Sequence, residues 1–129
     1  MQDRSIVSSP DAPAAIGPYS QAVISGNLVF CSGQVAIDPA TKELVPGAIE
    51  EQTRQCLRNL THVLIAAGSS LERVLKCSVF LVNLGDFGKM NAVYATFFPK
   101  DPPARATVEV SHLPKDALVE IECIAAVGK

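Results

Sequence analysis

Pro103-Ala104-Arg105-Ala106-Thr107-Val108-Glu109-Val110 and, after a short loop, Leu118-Val119-Glu120-Ile121-Glu122-Cys123-Ile124 both alternate with the period of a β-strand. In the second run Val119, Ile121, Cys123, Ala125 and Val127 form an unbroken apolar face. Glu120 and Glu122 point the other way, beside Leu118, Ile124 and Ala126. In the first run Val108 and Val110 take one face, and Arg105, Thr107 and Glu109 take the other. The pattern predicts a sheet with one core face and one face carrying a guanidinium among carboxylates. Such a face has two readings. It is a solvated surface with ion pairs, or it grips a small carboxylate and handles a water beside it.

Working back from these strands, the chain separates into alternating β and α patterns. A short strand is expected near Ile6, and Ser8 to Pro18, rich in Pro, Ala and Ser, reads as an ordered loop. Ala22-Val23-Ile24 and Leu28 to Ser32 flank Ser25-Gly26-Asn27 and read as a hairpin. A bend is expected at Gly33-Gln34, with Val35 to Ile37 continuing the strand and a turn at Asp38 to Thr41. From Ile49 the period becomes helical, with Ile49, Cys56, Leu57, Leu60, Val63, Leu64 and Ala67 on one stripe. Glu50 and Glu51 suit the positive end of that helix, and Gly68 its C-terminal cap. Val74 to Val82 is the next strand. Asp86 is expected to cap a second helix that buries Phe87, Met90, Val93, Tyr94 and Phe97 and stops at Pro99, Pro102 and Pro103. The order predicts an α+β fold, one mixed sheet with two helices on one face, forming a single domain over residues 1–129. The opposite face then carries Arg105, Glu120 and Glu122 among apolar side chains, too greasy for water alone.

Composition narrows the function. Hydrophobic residues make up 48% of the 129 and charged residues 19%, a surplus of apolar surface that fits burial between subunits. The formal charge of −2, the absence of a basic run and the lack of Trp argue against nucleic acid as a partner. Cys31, Cys56, Cys77 and Cys123 sit in apolar surroundings without metal or redox spacing, so all are read as reduced and structural. No stretch has membrane-spanning length, a signal core or a metal-ligand cluster, so no membrane, no metal and a cytoplasmic location are expected, with mitochondrial or nuclear pools left open.

Pro103-Ala104-Arg105, Leu113-Pro114 and Val119-Glu120-Ile121 resemble the C-terminal signature of the RidA/YjgF family of reactive-intermediate deaminases. Ala12 to Ala22, Ser32-Gly33-Gln34 and Asn91-Ala92-Val93-Tyr94 resemble it too, so the likeness spans nearly the whole chain. The resemblance implies a chorismate-mutase-like fold and a homotrimer with its sites in clefts between subunits. It implies cofactor-free hydrolysis of 2-imino acids, such as 2-iminopropanoate from 2-aminoacrylate and 2-iminobutanoate, to 2-oxo acids and ammonia. That chemistry would protect pyridoxal-phosphate enzymes.

The resemblance also assigns roles. Arg105 is implied to grip the substrate carboxylate, for which its planar fork is suited and lysine is not. Glu120 is implied to hold or activate water, and Tyr19 to line the site. Ser32, Gly33, Asn91 and Thr107 complete the substrate-binding set, Thr107 through its main chain. Glu122 is read as structural. The competing function is an RNA-directed or chaperone-like role on the same trimer. A His62–His112 pair for RNA cleavage has nothing in the sequence to bring its members together.

Overall fold

The structure is a computed structural model describing residues 3–128. In chain order its elements are β1 (Arg4–Val7), β2 (Ala22–Ser25), β3 (Leu28–Gln34), β4 (Ile37–Asp38), β5 (Glu43–Leu44) and α1 (Ile49–Ala66). They continue with β6 (Val74–Leu81), α2 (Phe87–Phe97), β7 (Ala104–Glu109) and β8 (Val119–Ala126). The main sheet has the order β1-β2-β3-β8-β6-β7, so the last strand in sequence lies inside the sheet. β8 runs antiparallel to both β3 and β6, whereas β7 pairs parallel with β6 after the α2 crossover. The mixed sheet and its two helices are as the alternation and helical stripe predict.

The core follows from the side-chain periods. Val119, Ile121, Cys123 and Ala125 of β8 are buried and meet the stripe of α1, where Cys56, Leu57, Leu60, Val63 and Leu64 are also buried. Each such Leu or Ile contributes about 1.5–3 kcal/mol by leaving water. All four cysteines are free and buried, and burial raises the thiols of Cys56 and Cys77 above their usual range. Helix α1 starts after Ala48, whose N–H donates to Glu51 Oε1 at 2.9 Å. It ends as a Schellman turn. Gly68 (φ 80°) donates to the Ile65 carbonyl at 3.0 Å, and Ser69 donates to that of Leu64 at 2.8 Å.

Several local expectations are corrected. Ile37 does not extend β3; Ile37–Asp38 pairs with Glu43–Leu44 in a separate two-stranded ribbon. Asp86 precedes α2 but its side chain caps nothing; Asn83 instead accepts from Gly85 N–H at 2.9 Å and shapes the turn before the helix. Phe87 lies on the exposed rim of α2 and not in the core.

The main correction concerns β7. Its register pairs Arg105 with Cys77, Thr107 with Val79 and Glu109 with Leu81, and those three partners are buried on the helix side. Arg105 and Thr107 therefore face the helices. Val108, paired with Phe80, is 45% exposed on the open face, where Phe80 in turn pairs with Glu120. Arg105 does not share a face with Glu120 and Glu122. An edge strand has little to bury on either side, so alternation in its sequence cannot tell the core face from an open apolar one.

Asn59, fully buried in α1, ties the helix to the irregular chain after β3. Its Nδ2 donates to the carbonyls of Ile37 (2.9 Å) and Val35 (3.3 Å), and its Oδ1 accepts from Gln55 (2.9 Å). Removing the amide orphans the Ile37 carbonyl, while that of Val35 still accepts from the Ile37 N–H at 2.8 Å. Asn59→Ala is expected to lower unfolding free energy by about 2–3 kcal/mol, measured by urea denaturation.

Candidate functional site

The predicted site residues fall into two groups on one chain. The first gathers where α2 crosses β7. Arg105 Nη1 donates to Asn91 Oδ1 at 2.8 Å. The guanidinium carbon also stands 4.7 Å from the centroid of the Tyr94 ring and 5.4 Å from that of Phe87. Phe87, Asn91 and Tyr94 occupy positions i, i+4 and i+7 of α2, one helical stripe, and that stripe faces β7. The guanidinium is thus held by a neutral amide and aromatic faces. Neither neutralises its charge, and the planar fork keeps donors for an anion. Beside it a cavity of about 390 Å³ is lined by Asn91, Tyr94, Phe98, Pro103 and Arg105. Thr107 Oγ1, two residues on, is buried without a hydrogen-bond partner.

The second group gathers at the open end of β8. Tyr19, Gly33, Pro114, Lys115 and Glu120 line a cavity of about 310 Å³. Between Cys31 and Gln34, β3 carries one residue more than β8 does between Ile121 and Cys123, so the expected bend at Gly33 is a bulge in the ladder. It brings the Gly33 backbone under the Glu120 side chain: a Cβ added there would come to 2.8 Å from Glu120 Cδ. Glycine at this position is a requirement of the carboxylate's seat. Partial burial, and then the charge of Glu122, raise the Glu120 carboxyl above the usual glutamate range. Glu122 itself is exposed.

The loop bearing Tyr19 is pinned from below. Gln21 Nε2 donates to the Pro13 carbonyl at 2.7 Å, and the Ser32 hydroxyl donates to the Ser20 carbonyl at 2.6 Å. Ser32 N–H adds a bond to the Gln21 carbonyl at 2.9 Å. The Ser32 hydroxyl proton is thereby committed to the loop. Tyr19, whose N–H donates to the Gly17 carbonyl at 2.9 Å, stands 54% exposed at the cavity mouth.

The structure brings Arg105 together with Asn91, and Tyr19 together with Gly33 and Glu120, but the two groups line different cavities. The sequence reading missed Phe87 and Tyr94 as the walls around Arg105; their spacing about Asn91 was the available signal. It also missed Lys115, whose backbone has a positive φ of 58° beside the Glu120 cavity. His62 and His112 are both exposed, on α1 and in the segment after β7, and line neither cavity. Among the described residues no metal-holding cluster occurs, and no helix is long and apolar enough to cross a membrane.

Comparison with known proteins agrees with this architecture. The chain is 52% identical to a RutC family protein of Pyrococcus horikoshii over 95% of its length and 97% of the relative. It is 46% identical to the mouse 2-iminobutanoate/2-iminopropanoate deaminase, over 97% of this chain and 93% of that one. The crystal structure of Escherichia coli TdcF with bound serine superposes with a TM-score of 0.92 at 41% identity, covering 96% of this chain and 99% of TdcF. A family profile described as Endoribonuclease L-PSP matches residues 9–127, and the chain belongs to that family, the YjgF/RidA family.

Proposed function

We propose that this protein hydrolyses small 2-imino acids, and the enamines in equilibrium with them, to 2-oxo acids and ammonia. The observation that carries the reading is Arg105: a guanidinium stacked on Tyr94 and Phe87, bonded to Asn91 and not to a carboxylate. A small imino acid has one strong handle, its carboxylate, and Arg105 offers the matching fork. The deaminase name carried by the mouse relative and the serine bound to TdcF, an amino acid with the same handle, support it.

The working site forms between copies. One chain holds the carboxylate grip and the Glu120 cavity apart. Its open sheet face carries Phe30 (44% exposed) and Val108 (45% exposed) around Glu120 and Glu122. Covering that face with identical chains would bury the apolar surface and bring the Arg105 rim of one copy to the Glu120 rim of the next. Three copies is the number the family resemblance implies.

In that cleft Arg105 fixes the substrate carboxylate and so places the imine carbon. Glu120 takes a proton from a water as its oxygen adds to that carbon and passes that proton to the imine nitrogen, which becomes an amine. The resulting carbinolamine collapses when the hydroxyl proton passes through Glu120 to nitrogen. The C–N bond breaks, ammonia leaves and the carbonyl forms. Tyr19 lines the cleft and limits bulk water, while Ser32 and Gly33 shape its floor. The Thr107 main chain would add a further contact to the ligand. No metal or organic group enters any step.

The direct test generates 2-aminoacrylate from serine and follows pyruvate release with and without the protein. Acceleration is expected; an unchanged rate, or RNA cleavage in its place, would overturn the reading. In the same assay Arg105→Lys and Arg105→Ala are expected to lose on the order of a hundredfold in rate, with the melting temperature unchanged or raised. Sedimentation equilibrium at micromolar protein is expected to give a trimer, and a monomer would remove the intersubunit site.

Glu120→Gln separates function from stability. Activity is expected to fall about a hundredfold. Because folding raises the Glu120 carboxyl, its ionisation disfavours the native state as pH rises through that raised value. The amide variant is therefore expected to melt above wild type at pH 7. The advantage should vanish below the ordinary glutamate pKa, where the carboxyl is protonated in both folded and unfolded chains. Thermal melts at both pH values check the sign.

A further inference from the structure

Arg105 depends on a wall to which the sequence reading assigned only packing. Its side chain is long, and a single hydrogen bond from Nη1 to Asn91 leaves the guanidinium free to rotate about that contact. What removes the freedom is a flat surface against the guanidinium. Two rings are available. Phe87 is 37% exposed at the rim of α2, with its centroid 5.4 Å from the guanidinium carbon. Tyr94 is 5% exposed, 4.7 Å away, and itself backed by Phe98 at a centroid separation of 4.8 Å. Tyr94 is thus the nearer ring and the one held rigid from behind.

We propose that Tyr94 is a positioning residue: its ring, and not its hydroxyl, holds the Arg105 guanidinium in the plane that receives a carboxylate. The proposal rests on the reading of Arg105 as the anion grip. The hydroxyl takes no part in the positioning. It is buried, comes up beside the Cys77 thiol, and meets no partner in hydrogen-bond geometry. Cys77 is the residue paired in register with Arg105. The stacked face, in contrast, attracts the cation and fixes its plane. Losing that face leaves Arg105 charged and attached to Asn91 but no longer aimed.

The role is separable from ordinary core packing. Arg105 order is read from the arginine Nε–Hε resonances of isotope-labelled full-length protein, and carboxylate affinity from titration with pyruvate. Tyr94→Phe is expected to keep both within twofold of wild type, because it keeps the ring. Tyr94→Leu is expected to lose the ordered Arg105 Nε–Hε signal and bind pyruvate about tenfold more weakly. Tyr94→Met, which fills the space without a ring, replaces it if the leucine variant does not fold. Val63→Ala in α1 is the control: Val63 is fully buried, so the melting temperature falls, but pyruvate affinity is expected to hold. An ordered Arg105 with unchanged affinity in Tyr94→Leu or Tyr94→Met would overturn the proposal. So would loss of order in Tyr94→Phe, or a weakening in Val63→Ala equal to that in Tyr94→Leu. Turnover is a separate measurement. If wild-type protein releases no pyruvate from 2-aminoacrylate, the deaminase reading fails, and the Nε–Hε order still decides what Tyr94 does.

Discussion

Everything in this molecule depends on how β8 is sandwiched. Val119, Ile121, Cys123 and Ala125 lie against α1, whose apolar stripe takes them out of water. Period-two geometry then obliges Glu120 and Glu122 to point the other way. Antiparallel pairing on one side sets β3, whose bulge slides Gly33 beneath Glu120. Antiparallel pairing on the other side sets β6. The α2 crossover then adds β7 parallel at the edge and delivers Arg105 to the aromatic stripe of α2. One buried alternation thus places both halves of the candidate site.

The same logic explains what was legible beforehand. Alternation in β8 and the stripe of α1 are long, strongly apolar and buried, so their faces could be assigned from residue types. Gly33 could be flagged but not understood: its glycine is demanded by the approach of a carboxylate from another strand, and no local pattern encodes that. Asp86 looked like a cap because it precedes a helical stripe, yet its side chain makes no capping bond, and the side-chain bond at this turn belongs to Asn83, which accepts from the Gly85 N–H. The facing of Arg105 was out of reach for a different reason. Val108 lies on an edge strand and Val110 just past its end, and apolarity alone does not distinguish a core face from one waiting for another subunit. Which of the candidate residues meet within one chain was decided by strand register.

Separating the two halves has a chemical consequence. A carboxylate within about 4–6 Å of a guanidinium is held ionised and loses basicity, and the guanidinium's fork is filled. Had β7 placed Arg105 on the Glu120 face, the two would have paired and cancelled the functions assigned to them. Instead, Arg105 rests on an amide and two rings, none of which competes with an anionic ligand for its charge. Glu120 rests on glycine backbone with Glu122 nearby, and burial and like charge raise its proton affinity. Each group is kept in the state that the proposed chemistry needs, and each is kept so by the absence of the other.

In the proposed assembly the substrate is what comes between them. Its carboxylate takes the fork of Arg105 before Glu120 can, so charge neutralisation at the arginine is completed by ligand and not by protein. The glutamate, still short of a cationic partner, retains an affinity for the proton of water higher than an ordinary surface carboxylate has. A monomer offers no such arrangement, because its two cavities do not meet. Association would then do more than hide Phe30 and Val108 from water: the same contact that satisfies the apolar face would create the only place where grip and base act on one molecule. Stability of the assembly and competence of the site would be consequences of a single interface.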